Sequence, residues 1–296
     1  MSTFLHNTEG SYTPAKVWFT LFMVIVAHTV GSLPLFFALP DHINPSDTHQ
    51  VALALGSTRF FLLQMIPFAL VAVVLIALQR WVHKRTMVQL FTGRSKVSVR
   101  RFFYSFSLWG SIMVLTTLIQ LGLNTEELVW NFKAIPFFKT MLLLLFFIPV
   151  QVLAEELLFR GFILQRLNGL IPSPLFSILL SGVLFGLLHA SNPEVMTHGY
   201  GLLFVYIGFG VFLSFLTVAD NGLELAYGFH VANNFFQGIL ITSSDQAFQL
   251  NGLFKSNGVS LSFASILLLL GSLTVYLALC FRAYPWSIKA VFKNNE

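Results

Sequence analysis

The sequence predicts an all-α, polytopic integral membrane protein of about eight transmembrane helices, and three observations predict it. Only 10% of the 296 residues are charged, 56% are hydrophobic, and the mean hydropathy is +0.77. A soluble domain carries about 25% charged residues. This chain lacks the polar groups to cover a water-facing surface, so lipid is the expected solvent. Apolar runs also recur at spanning length, about 17–25 residues. Finally, the runs are continuously apolar rather than alternating. That pattern fits helices, which satisfy their own backbone groups in lipid, and not a β-barrel.

Residues 1–15 read as a short polar tail. The run Val17 to Leu39 exceeds the roughly 7–15-residue core of a signal peptide. No small-x-small cleavage site follows it, so it is expected to be retained as the first helix. Further spans are expected near 58–79, 102–123, 140–168, 174–190, 201–219, 222–243 and 260–282. No repeat or linker divides the chain. One membrane domain is expected, with the tail and first three helices in 1–139, a central helical core in 140–245, and the last helix and tail in 246–296. The 33 phenylalanines suit lipid-facing and helix-packing positions. A single cysteine, Cys280, excludes an internal disulfide and a Cys-based zinc cluster.

The loops give an orientation. Arg80, Lys84, Arg85, Arg94, Lys96, Arg100 and Arg101 fall between the second and third expected spans with no acid among them. By the positive-inside rule that stretch is cytoplasmic. Eight spans then place both termini in the cytoplasm. Lys16, Arg160, Arg166, Arg282, Lys289 and Lys293 join the inner side, making thirteen basic residues against four outside: Arg59, Lys133, Lys139 and Lys255. The +5 net charge is therefore read as topology and not as nucleic-acid binding.

Charges inside a span cost roughly 2.5–3.5 kcal/mol each on insertion scales, so the few present are functional candidates. Glu155, Glu156 and Arg160 interrupt the fourth run, His189 ends the fifth, and His230 and Asn234 lie in the seventh. Glu156 and Arg160, four apart, share a face and are expected to pair. Glu155 points about 100° away, leaving an unpaired carboxylate suited to general-base work. His230 and Asn234 also share a face and can together donate to a developing oxyanion. At 1.5 Å per residue these groups lie roughly 14–22 Å from the cytoplasmic helix ends, within a turn or two of one another.

Glu-Glu-x-x-x-Arg, Phe-x-x-x-His and His-x-x-x-Asn, in that order on successive hydrophobic helices, resemble the CAAX protease and bacteriocin-processing (Abi) family. That family includes the type II CAAX prenyl proteases. The resemblance covers about residues 140–240. It implies a membrane-embedded endopeptidase whose catalytic residues are Glu155 and His189, which activate a water, and His230 and Asn234, which stabilise the oxyanion. Glu156, Arg160 and Phe185 are implied as supporting residues. The family is often labelled metalloprotease, and Glu155, His189 and His230 would make a two-His, one-carboxylate zinc set. A metal-free, glutamate-activated water is equally open, and no His-Glu-x-x-His is present. The implied partners are membrane lipid and a hydrophobic or lipidated peptide substrate. The short loops and lack of a soluble domain look like the bacterial branch, and so a bacterial plasma membrane.

Other chemistry is disfavoured. There is no Gly-x-Ser-x-Gly, no lysine within a span for a Ser-Lys dyad, and no aspartate pair within spans. The main alternative is a non-catalytic relative, an immunity factor or a scaffold binding a peptide in the same cavity. A proton-coupled transporter is disfavoured because no duplicated halves are visible. His28, Gln64 and Gln120 are expected to make interhelical hydrogen bonds. Glu194 and His198 are expected in a short outer loop, and Asp220 and Glu224 are expected to be solvated.

Overall fold

In the computed structural model the described residues are 4–5, 10–123, 128–256, 262–284, 286 and 292. The elements are α1 (Pro14–Ala38), a short α2 (Thr48–Leu55), α3 (Ser57–Trp81), a short α4 (Met87–Phe91), α5 (Val99–Leu123) and α6 (Ala134–Glu156). From α6 the chain continues through a π-helical segment, Leu157–Leu164, into α7 (Gln165–Leu170). Then come α8 (Pro174–Leu187), a short α9 (Pro193–His198), α10 (Gly201–Ala219), α11 (Glu224–Leu240) and α12 (Phe263–Ala283). Three two-residue strands, β1 (Val129–Trp130), β2 (Ile241–Thr242) and β3 (Phe254–Lys255), form a small sheet ordered β1-β3-β2. β3 is antiparallel to β1 and parallel to β2.

A long helix stands at each expected span, counting α6 through α7 as one. Six are long and apolar enough to cross a membrane: α1, α3, α5, α6–α7, α10 and α12. The other two are shorter. α8 has 14 residues, about 21 Å against a hydrocarbon core of about 30 Å. α11 has 17 and carries the polar residues of the candidate site. Local chemistry sets the starts of α1 and α8. Thr13 and Ser173 accept from the backbone N–H three residues on, at 3.4 Å in both cases, and each is followed by a proline.

Close helix contacts rest on missing side chains. A Cβ on Gly182 would lie 2.4 Å from the Val211 backbone nitrogen, and one on Gly186 would lie 2.7 Å from the Ile207 backbone. This small-x-x-x-small face lets α8 and α10 approach backbone to backbone. α11 is the central helix, packed against α5, α6 and α10. Its Phe229 clusters with Trp109, Leu213 and Tyr276, and its Val231 with Phe61, Leu144 and Ile148.

Asp220 and Glu224 overturn one expectation. They are 3% and 2% exposed, not solvated. Arg94 reaches Asp220 Oδ2 at 3.4 Å and also pairs with Glu224. Arg101 lies 2.9 Å from Asp220 Oδ1, and Glu224 Oε1 accepts from the Ser98 backbone at 3.0 Å. Burial pushes the Asp220 carboxyl up, to about 6, against the pull of the two arginines. Part of the basic stretch is thus an internal clamp on the α10–α11 turn. Its partners are separated by 119 to 130 residues in sequence, so no local pattern could reveal it. Lys289 and Lys293, counted on the inner side, lie outside the described residues.

Candidate active site

α6 presents two functional faces. Gln151 and Glu155, four apart, line a cavity of about 510 Å³. Glu156 turns away into the core, where its Oε1 accepts from Arg160 at 2.9 Å. Arg160 also donates to the Gly210 carbonyl at 3.0 Å, and its guanidinium stands 4.5 Å from the Phe185 ring centre. Glu156 and Arg160 are fully buried and do not line the cavity. The pair expected from the spacing therefore forms, and it braces α6 against α10.

The π-helical turn follows directly after Glu156. Such turns insert one extra residue and occur often at functional sites. Nothing in the residue pattern announced it. Gly161 lies within it, and a Cβ there would approach the Leu90 carbonyl to 3.4 Å.

α11 brings His230 between the two glutamates. Its Nδ1 is 2.8 Å from Glu156 Oε1, and its Nε2 is 3.4 Å from Glu155 Oε2. Glu155 Oε2 is buried and makes no hydrogen bond. One helical turn on, Asn234 Nδ2 donates to Gln151 Oε1 at 3.0 Å. Asn233 donates to Asn234 Oδ1 at 3.2 Å, and Trp109 Nε1 donates to Asn233 Oδ1 at 3.3 Å. This chain fixes the Asn234 amide with its nitrogen toward α6. An amide nitrogen carries two hydrogens, so one donor remains after Gln151. His230 and Asn234 both line the cavity. Each is partly engaged by α6.

His189 sits in the turn just beyond α8. Its Nδ1 faces the Phe185 carbonyl at 2.8 Å, which leaves Nε2 as the available nitrogen. Its ring stacks on Tyr206 of α10, with centres 4.4 Å apart and planes at 18°. The Phe185 ring lies between the two histidines, 4.6 Å from His189 and 5.8 Å from His230. Glu155, His189, His230, Asn234 and Phe185 all line the one cavity.

The geometry adds residues that sequence reasoning missed. Gln151 orients Asn234, and its only signal was a polar side chain in an apolar run. Glu194 was expected merely in an outer loop. It lines the cavity from α9 and accepts from both Tyr206 and Asn192. Gln64, expected to bond another helix, donates instead to the Ala247 carbonyl at 3.2 Å, in the loop between β2 and β3.

The residues present do not fit zinc. Among the described residues no three His, Cys, Asp or Glu side chains are placed to hold a metal ion. Glu155, His189 and His230 line the same cavity but do not form such a group, and His230 Nδ1 is taken up by Glu156.

Residues 136–236 match the family model of type II CAAX prenyl endopeptidase Rce1-like proteins. The chain is 28% identical over 254 residues to "Uncharacterized protein YyaK" of Bacillus subtilis (strain 168), covering 84% of this chain and 85% of that protein. No solved structure matches the chain. The matched segment contains the two glutamates, both histidines and Asn234, and over it the helical core of this membrane protein is similar to type II CAAX prenyl endopeptidase Rce1-like proteins.

Proposed function

We propose that the chain is an intramembrane endopeptidase that hydrolyses a peptide bond of a membrane-associated or lipidated peptide. The observation that carries this reading is Glu155. It is a cavity-lining carboxylate with one oxygen buried, unbonded and facing a histidine. In the proposed reaction Glu155 removes a proton from a water, aided by the free Nε2 of His189. The water oxygen attacks the scissile carbonyl carbon. With a proton on both ring nitrogens, His230 donates to Glu156 through Nδ1 and offers Nε2–H to the resulting oxyanion. Asn234 offers its second N–H. Glu155 then passes its proton to the leaving amine as the C–N bond breaks.

Metal takes no part in this scheme. Chelation of the purified protein is expected to leave turnover unchanged. Loss of activity restored by one equivalent of zinc would contradict it.

The substrate class follows from depth. A peptide reaches such a site only if it is apolar, lipidated or locally unwound, because unpaired backbone groups are costly in lipid. Apolar side chains such as Leu63, Phe68, Leu202 and Phe248 share the cavity with the polar cluster. Leaders, propeptides and helix ends are the fitting segments. Membranes from cells carrying Glu155→Gln are expected to accumulate a precursor with a hydrophobic or lipidated segment. Accumulation of soluble proteins alone would defeat the substrate assignment and leave the protease assignment standing.

We further propose a bacterial plasma membrane as the location, with the 80–101 stretch and both termini in the cytoplasm. Cysteine labelling near the exposed Lys96 tests this. Reaction with an impermeant reagent on intact cells would reverse the orientation.

The alternative of a non-catalytic immunity factor or peptide scaffold uses the same cavity. It differs in predicting no cleavage by the wild-type chain.

A further inference from the structure

A second polar cluster lies away from the candidate active site, where α1 starts, α3 ends and α7 begins. Lys16 is in the first turn of α1, Arg85 follows the end of α3, and Arg166 is on α7. The three surround a stacked pair, Tyr12 on His83, with ring centres 4.5 Å apart. The Arg166 guanidinium sits 3.4 Å from the centre of the Tyr12 ring, and that of Arg85 sits 5.8 Å from it. Lys16 bonds the Ser11 hydroxyl. Arg85 donates to Gln165 Oε1 at 2.7 Å and to the Gln89 carbonyl at 2.9 Å.

Charge balance sets this cluster apart. The buried guanidinium of Arg160 and those of the Arg94–Arg101 clamp each face a carboxylate. Among the described residues, none pairs with Lys16, Arg85 or Arg166. Donors are in excess as well. Arg85 Nε, Arg166 Nε, Gln79 Nε2 and Gln165 Nε2 are buried and unbonded, on residues whose other atoms already point into the cluster. Gln79, Arg85 and Gln165 are at most 1% exposed. His83 cannot supply a negative partner. Burial holds its pKa down, to about 4, and the cations of Arg166, Lys16 and Arg85 press it further in that direction. Arg166 and Lys16 remain partly open to the outside.

Three cations with surplus donors, and no carboxylate paired with them among the described residues, suit an anion. We propose that this cluster is a phosphate-binding site for the headgroup of an anionic membrane phospholipid. Guanidinium forks match phosphate oxygens two at a time, and a lysine adds a point charge. The site gathers the start of α1, the end of α3 and the start of α7, and α1, α3 and the α6–α7 run are all long and apolar enough to cross a membrane. It is built on the same helical run as the candidate active site. Gln165 directly follows the π-helical segment, and Phe162 within that segment packs on His83, with ring centres 5.5 Å apart. An anion held here therefore clamps the stretch that follows Glu155 and Glu156. This inference does not depend on proteolysis.

The test uses the full chain in nanodiscs and reads lipid binding and thermal unfolding, not activity. In discs of phosphatidylcholine alone, adding phosphatidylglycerol is expected to raise the melting temperature and to give a retained lipid in native mass spectrometry. Arg166→Gln and Lys16→Gln are each expected to weaken phosphatidylglycerol binding about fivefold, while Lys96→Gln, an exposed lysine outside the cluster, does not. If Arg166→Gln folds poorly, Lys16→Gln carries the test. Inorganic phosphate giving the same rise in phosphatidylcholine discs, with no retained lipid, would assign the site to free phosphate and overturn the lipid source. Indifference to both probes, as when a carboxylate of the chain itself fills the site, would overturn the site. Equal loss in Lys96→Gln would do so too, by reducing the effect to general surface charge.

Discussion

Glu155→Gln is expected to abolish peptide cleavage, a loss of at least about 10²–10⁴-fold, while the protein still folds and melts close to wild type. The substitution keeps the shape and removes the basic oxygen. Glu155 Oε2 makes no hydrogen bond, so no structural partner is stranded by the change. His230 keeps its contact to Glu156 through Nδ1. Activity of purified protein measured beside thermal unfolding separates the two effects. Wild-type turnover in Glu155→Gln would remove Glu155 as the base.

Its neighbour is expected to behave in the opposite way. Glu156→Gln or Arg160→Met leaves one charge of a fully buried pair without compensation. Breaking such a pair costs about 3–5 kcal/mol, whereas replacing both members with neutral residues restores much of it. The single variants are therefore expected to unfold at markedly lower temperature. The double variant Glu156→Gln/Arg160→Met should recover most of the loss. Activity falls in Glu156→Gln as well, because Glu156 holds His230 at 2.8 Å. Single variants that melt like wild type would show that the pair is no brace.

The helices were legible because lipid imposes a simple code of long, unbroken apolar runs. Spans at 201–219 and near 58–79 coincide with α10 and α3 to within two residues. Glu156–Arg160 was equally legible, since four-residue spacing on a helix is geometry. What escaped was whatever depends on a distant partner or on a departure from ideal helix. The two-sided engagement of His230 joins residues 74 apart. Asn234 meets Gln151 across 83 residues. Asp220 and Glu224 looked like a solvated turn because their arginines lie far upstream. The π-helical segment has no composition of its own. Six helices are of spanning length, and α8 and α11 are shorter, where eight spans were expected.

The central claim is hydrolysis at the cavity that joins Glu155, His189, His230 and Asn234. The most direct measurement is incubation of purified wild-type protein in nanodiscs with a reporter peptide carrying a hydrophobic segment, in ¹⁸O-labelled water, with mass spectrometry of the products. The account predicts cleavage at a defined bond, one ¹⁸O in the new C-terminal carboxylate, and neither product with Glu155→Gln. An intact peptide bound by the wild-type protein, across a panel of hydrophobic and lipidated reporters, would contradict it and make the cavity a peptide-binding scaffold.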